Sequence, residues 1–155
     1  MPEDQARTTL TPKLVGALYT EAMLLADEAR SYFDRHGRDD RDALDPIVRV
    51  GFSCESLKVT TRLMHVIAWL LTQRAVEAGE ISRRQARSPA RRLGDAPDTD
   101  EAVLAQLPES AVALINASRE LYARVRRLDA GAIPAAPEPH ASPARSLLSR
   151  LERSL

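Results

Sequence analysis

Apolar residues recur at alternating spacings of three and four along three stretches of the chain, a pattern typical of amphipathic helices. The first helix is predicted to begin with Thr11 as its cap and Pro12 at the first helical position. It extends to about His36, and Gly37 ends it. Its apolar face consists of Leu14, Leu18, Ala22, Leu25, Ala29 and Tyr32.

The second predicted helix is the longest, beginning at Asp45 and Pro46 and ending near Gly79. It carries two apolar stripes, so we expect a central helix that contacts two neighbours or a second subunit. We take the longer stripe as the core face, with Cys54 as a buried packing thiol. The longer stripe consists of Ile47, Val50, Cys54, Leu57, Thr61, Met64, Ala68, Leu71 and Ala75. The shorter stripe consists of Val59, Leu63, Val66 or Ile67, and Leu70.

A third helix is predicted to begin between Asp100 and Pro108. Its stripe is broken only by Ser118 and consists of Leu104, Leu107, Ala111, Leu114, Ser118, Leu121, Val125 and Leu128. Residues 82–100 are interpreted as a long surface connection with a short helix capped by Ser82. Since strand alternation and internal repeats are absent from the sequence, the predicted fold is all-α: a three-helix bundle with a long central second helix.

The two ends of the chain are predicted to lie outside this bundle. Residues 1–10 form a mobile tail, residues 11–130 the bundle, and residues 131–155 a flexible Pro/Ala-rich linker with a short amphipathic segment. That segment starts at Ser142 and carries Leu147, Leu148 and Leu151, which we expect to form a docking face for a partner.

Charge and composition narrow the classes of partner. The formal net charge is +0, so no global field attracts nucleic acid or an anionic membrane. The longest apolar run, Leu63–Leu71, contains His65 and is far shorter than the roughly 20 residues that a membrane span needs. Cys54 is the single cysteine, which fits a reducing, cytoplasmic compartment.

The sequence shows no pattern of catalytic or metal-binding residues. It has no Gly-rich phosphate loop, no Cys or His pair at ligand spacing and no framed nucleophile, so we expect no enzyme activity, metal or cofactor. A group of arginines in the connection is interpreted as a solvated surface, although a nucleic-acid-binding bundle remains an alternative. These arginines are Arg83, Arg84, Arg87, Arg91 and Arg92. A structural dimeric scaffold is a further alternative, since the apolar second helix favours a homodimer.

One arginine lies inside the most apolar stretch of the chain. If the first two helices are antiparallel neighbours, Glu21 comes level with Arg62 at the edge of the predicted core. We therefore predict an ion pair between Glu21 and Arg62. The hydroxyls of Thr60 and Thr61 are predicted to bond back to carbonyls of the preceding turn.

The stretch "ESLKVTTRLMHVIAWLLTQRAVEAGE", residues 55–80, resembles the RcdA (regulator of CtrA degradation) family of alphaproteobacteria, long described as a domain of unknown function. "YTEAM" in the first helix and "LPES" before the third also resemble the family, and the likeness covers roughly residues 11–130. The motifs of the second helix are Glu55-Ser56, Thr60–Met64, Trp69–Leu71, Gln73–Val76 and Gly79-Glu80.

The resemblance implies a cytoplasmic, dimeric three-helix bundle without catalytic residues. Members of the family act as adaptors that deliver cargo, such as transcription or cell-cycle regulators, to the ClpXP protease. They work with a single-domain response regulator, and their C-terminal tail belongs to the partner-binding apparatus. On this basis the expected function is that of a non-enzymatic adaptor.

Overall fold

The computed structural model describes residues 10–131. The tail predicted at the N-terminus, except Leu10, and the linker and segment predicted after Gly131 lie outside these residues. The described chain contains six α-helices, three of them long, and no strand, which confirms the all-α bundle. They are α1 (Pro12–Ser31), α2 (Arg38–Asp42), α3 (Pro46–Glu77), α4 (Arg83–Ala86), α5 (Glu101–Leu104) and α6 (Glu109–Gly131).

The predicted helix ends are close to the observed ones. The Thr11 hydroxyl accepts a hydrogen bond from the Leu14 amide at 3.1 Å and caps α1, which continues through a π-helical turn, Tyr32–His36. Beyond α3, Gly79 has a φ of 75°, a left-handed conformation that glycine adopts without strain. Ser82 and Gln85 form the predicted capping box around α4.

The segment "GRDDRDAL", which the sequence predicts as a polar connection, contains the short helix α2. The Tyr32 hydroxyl donates a hydrogen bond to the Asp40 carboxylate at 2.8 Å and ties α2 to the turn after α1. A Cβ at Gly37 would lie 2.8 Å from the Tyr32 ring, so this residue must be small for the turn to close. Burial of the ring, together with Asp40, raises the pKa of Tyr32.

The long helix α3 is central and contacts both α1 and α6. It runs antiparallel to α1, since Arg74 near its end stacks on the Tyr19 ring and Phe52 near its start packs against Phe33. It runs parallel to α6, since Arg62 bonds Ser118 and Trp69 bonds Asp129 further along both helices. The connection between α3 and α6 therefore returns along the whole bundle.

The core face of α3 is the shorter apolar stripe, and the prediction that assigned the longer stripe to the core is wrong. The buried residues of α3 are Phe52, Glu55, Val59, Arg62, Leu63, Val66, Trp69 and Leu70. Cys54, predicted as a packing thiol, is exposed. The physical reason is that Glu55 and Arg62 find polar partners inside the fold, so their face can be buried.

No helix within residues 10–131 is both long enough and apolar enough to cross a membrane.

Candidate interaction site

A continuous row of apolar side chains on α3 faces away from the bundle. We call this row the α3 seam: Ile47, Val50, Cys54, Leu57, Thr61, Met64, Ala68, Leu71 and Ala75. Its five largest side chains are 47% to 85% exposed, where Leu71 and Ile47 mark the two extremes. A side chain of this size gains roughly 1.5–3 kcal/mol when it is fully buried, so an exposed row of five is a strong candidate interface.

The α3 seam lies on the opposite side of the helix from the core. Its members alternate spacings of three and four without a break, which is a heptad pattern and typical of coiled-coil packing. Val66 at the centre of the core face is 0% exposed, while Met64, two positions earlier along the helix, is 62% exposed. The helix is therefore apolar on two opposite sides, and within residues 10–131 only one of them is covered by other elements.

Residues 87–100 hold α3 and α6 together from outside, and we call this segment the strap. It runs antiparallel to α3: Arg92 lies beside Asp129 and Trp69, and Asp100 lies beside Glu55. The three side chains of α3 that anchor the strap, Glu55, Arg62 and Trp69, are spaced by seven residues and so share one face.

Arg62 is buried at the centre of the strap. Its guanidinium donates hydrogen bonds to the Thr99 hydroxyl at 2.8 Å, to the Pro97 carbonyl at 3.1 Å and to the Ser118 hydroxyl at 3.1 Å. Burial lowers the pKa of Arg62, although the nearby Glu55 carboxylate opposes that effect. Arg62 thus joins α3, the strap and α6 at one point.

The predicted ion pair between Glu21 and Arg62 is wrong. Glu21 accepts a hydrogen bond from Arg124 of α6 on the bundle surface, and Arg62 points toward the strap. The reason is the reversed assignment of the α3 faces, which placed Arg62 on the α1 side. The predicted back-bonds are confirmed: Thr60 donates to the Ser56 carbonyl and Thr61 to the Leu57 carbonyl.

Glu55 anchors the far end of the strap and is 1% exposed. Its carboxylate accepts hydrogen bonds from the Asp100 amide at 3.1 Å and from Lys58 at 2.9 Å. Burial favours a raised pKa, but these hydrogen bonds prevail and hold the pKa of Glu55 below its ordinary value. The negative charge therefore fixes the point where the strap enters α5.

The other end of the strap depends on Asp129. Its carboxylate accepts hydrogen bonds from the Trp69 indole at 2.8 Å and from Arg92, whose pKa is raised chiefly by this hydrogen bond. The Tyr122 hydroxyl donates to the Gly94 carbonyl at 2.5 Å. A Cβ at Gly94 would come within 2.8 Å of the His65 ring, so the backbone packs directly against α3 there.

Two shallow grooves border the α3 seam and share residues with it, Leu57 and Met64 on the α1 side and Ala68, Leu71 and Ala75 on the strap side. The groove on the α1 side has a volume of about 400 Å³, and its apolar lining includes Ala26, Phe33, Leu63 and Ile67. The groove on the strap side has a volume of about 710 Å³ and is lined by His65, Arg91 and Arg92 besides smaller apolar side chains. We call them the α1 groove and the strap groove.

The predicted site residues fall in different places. Arg92 forms an ion pair with Asp129. The other arginines of the group are exposed: Arg83, Arg84, Arg87 and Arg91. Leu147, Leu148 and Leu151 lie outside the described residues. Within residues 10–131, no cluster of three His, Cys, Asp or Glu side chains is arranged to hold a metal ion.

The interpretation of the sequence missed the seam as a surface and the strap as a packed element. Two signals were present in the sequence. An unbroken heptad indicates a seam between two helices, and polar residues at seven-residue spacing, Glu55 and Arg62, indicate a face with buried polar partners.

Comparisons with known proteins agree with the resemblance in the second helix. A family described as "Protein of unknown function (DUF1465)" matches residues 6–155. The crystal structure of RcdA from Caulobacter crescentus CB15 matches with 34% sequence identity and a TM-score of 0.62, covering 79% of this chain and 92% of that chain. Comparison with curated proteins gives no match. With this identity and coverage, the chain belongs to the RcdA family.

Proposed function

We propose that this protein is a non-enzymatic, cytoplasmic adaptor that works as a homodimer. In this proposal it delivers cargo, such as transcription or cell-cycle regulators, to the ClpXP protease together with a single-domain response regulator. Membership of the RcdA family supports the adaptor role through the resemblance described above. The exposed α3 seam is the observation that carries the proposal, because it is built for contact with another protein surface.

The seam fits a second copy of itself in the antiparallel direction. In that arrangement every seam residue except Ala75 meets a seam residue of the other copy: Ile47 lies opposite Leu71, and Cys54 lies opposite Met64. The central position pairs Leu57 with Thr61. A twofold axis requires such self-complementarity, since the same surface contributes to both sides.

The distribution of charge favours the same direction. One end of the bundle, formed by residues 10–20, 70–95 and 121–131, carries ten basic and four acidic residues. The rest of the described chain carries eight basic and fourteen acidic residues. Antiparallel copies bring the basic end of one bundle beside the acidic end of the other, whereas parallel copies would place like charges together.

The dimer is tested by the mass of the full chain in light scattering at micromolar concentration. We expect a dimer for the native chain and a monomer for Leu57→Glu, since the substitution places a charge at the centre of the seam. Leu24→Glu is the matched control, because Leu24 and Leu57 are each 66% exposed and Leu24 lies on α1. A monomeric native chain would contradict the proposed dimer.

The adaptor role is tested by recovery of partners from lysate, using the full chain and a chain without residues 131–155. Recovery of ClpX or ClpP with a response regulator, reduced by the truncation, supports the adaptor. Recovery of nucleic acid instead would favour the alternative that uses the exposed arginines. Recovery of neither would leave the structural scaffold as the better description.

A further inference from the structure

The size and apolar lining of the α1 groove suit an apolar occupant of limited length. From Ser56 to Ile67 it runs along twelve residues of α3, which corresponds to a rise of roughly 16 Å along the helix. Its floor is formed by side chains such as Ala29, Val59 and Leu63, and Thr60 and Met64 lie at its solvent side. A single short amphipathic helix of about three turns would fill it.

The chain itself carries a segment of this size outside the described residues. Residues 142–155 are predicted from the sequence as an amphipathic helix with Leu147, Leu148, Leu151 and Leu155 on one side. A helix from Pro143 to Leu155 would be about 20 Å long. Such a short helix is marginal alone, so it gains most from a surface that buries its leucines.

The linker is long enough to bring this segment to the groove. The bond between Trp69 and Asp129 places the end of α6 level with Trp69 on α3. Leu63, at the middle of the groove, is six residues away, or about 9 Å along the helix axis. Passing around one helix adds roughly 20 Å, since neighbouring axes are about 8–10 Å apart. Residues 132–141, ten in number, span roughly 31 Å when extended.

Charge distinguishes between the two grooves. The segment carries Arg145, Arg150 and Arg153 against the single acidic residue Glu152. The α1 groove is lined by Asp34 and Arg30, and Arg30 is already paired with Asp27 at 3.0 Å. The strap groove is lined by Arg91 and Arg92; Arg92 is already paired with Asp129, so Arg91 is the charge that would repel a basic segment.

We infer that residues 142–155 of this chain bind in its own α1 groove, with the leucines packed between α1 and α3. This contact does not depend on the proposed function. If the adaptor role also holds, the bound segment withholds its leucines from partners, so the groove regulates access to the tail.

Paramagnetic relaxation in the full chain tests this contact directly. A spin label is attached at Ser149→Cys in a chain that also carries Cys54→Ser. This spin-labelled chain is the one whose amide signals are observed, and it is diluted into an excess of native chain that carries no spin label and gives no signal. We expect the amide signals of Ala26, Phe33 and Ile67 to lose most of their intensity. Unchanged signals would show that the groove is empty, and loss of the effect on dilution would show that the segment comes from a second copy; either result overturns the inference.

Paired threonine substitutions locate the contact. Thr60→Lys places a positive charge in the α1 groove without changing the α3 seam, so we expect the signals to recover. Thr20→Lys, on the exposed side of α1, should leave them quenched. Equal effects of the two variants would contradict binding in the groove. Partner recovery from lysate is a separate measurement, so this inference and the adaptor role fail independently.

Discussion

Arg62 shows how one buried charge can join three elements. Its three acceptors belong to the strap and to α6, and none belongs to α1. An arginine suits this position because its planar guanidinium donates in several directions at once and remains charged at every ordinary pH. Removing it leaves buried acceptors without a donor, which costs more than the loss of an exposed pair.

Substitution of Arg62 by methionine measures this role. Arg62→Met should lower the free energy of unfolding by about 3 kcal/mol or more in chemical denaturation. Arg30→Met is the control, because Arg30 forms an exposed pair with Asp27 and should cost about 0–1 kcal/mol. A double-mutant cycle of Glu21→Gln with Arg62→Met should show coupling near zero, and substantial coupling would restore the pair predicted from the sequence.

The buried carboxylate of Glu55 makes the free energy of unfolding depend on pH. Its pKa in the folded state lies below its ordinary value of 4.5, so the unfolded state binds the proton more readily. The stabilisation is therefore complete above about pH 4.5 and is lost as the pH falls through the lower folded-state pKa. At neutral pH the melting temperature of Glu55→Gln should be lower than that of the native chain. As the pH falls, the melting temperature of the variant should decrease less steeply than that of the native chain. Glu28→Gln, on the exposed face of α1, should follow the native curve.

At the scale of the element, α3 is a helix with two opposite apolar sides. Hydrophobic periodicity located the helix and both of its stripes, but it assigned the wrong one to the core. Periodicity ranks faces by apolar content, and the true core face contains Glu55 and Arg62. Their partners, Asp100 and Thr99, lie 45 and 37 residues away, and no local pattern predicts such distant bonds.

Elements with local signals were predicted well. The caps at Thr11 and Ser82 depend on neighbouring residues alone, and both are found as predicted. The stripe of α6 was assigned correctly from Ala111 to Val125, including Ser118, whose hydroxyl is buried and donates to the Ile115 carbonyl. Leu104, predicted as the first residue of that stripe, lies in α5 instead. The packed conformation of the strap could not be predicted, since it depends on contacts with α3 and α6. The sequence of the strap itself has no periodic pattern of apolar residues.

Two glycines in long helices test the fit of α5 against α3: Gly51 contacts α5, and Gly16 is the comparison. A Cβ at Gly51 would lie 2.6 Å from a Val103 methyl, so Gly51→Ala should displace α5 and lower the melting temperature. Gly16 in α1 has its nearest neighbour, an Arg74 nitrogen, at 3.9 Å. Gly16→Ala should therefore raise stability by about 0.5–1 kcal/mol through helix propensity alone. Similar effects of both substitutions in denaturation would show that Val103 does not constrain α3.

At the scale of the whole molecule, the separation of charge has a measurable effect on assembly. If opposite ends of two bundles lie together in an antiparallel dimer, salt screens their attraction. The dissociation constant should then rise as ionic strength increases from about 0.01 M to about 1 M, where the Debye length falls from roughly 30 Å to 3 Å. Sedimentation equilibrium across this range measures it. An affinity that increases with salt would indicate an assembly governed by the apolar seam alone.

The parallel arrangement of α3 and α6 also sets an order in which the chain can fold. The antiparallel pair of α1 and α3 closes over the short segment between His36 and Asp45, whereas the bond from Arg62 to Ser118 spans 56 residues. Loop closure is costlier for the longer connection, so the α1–α3 hairpin should form first and α6 should join last. Until α6 arrives, part of the α3 core face and the seam are exposed together. During synthesis the incomplete bundle therefore exposes more apolar surface than the finished protein, until α6 and the strap cover the core face of α3.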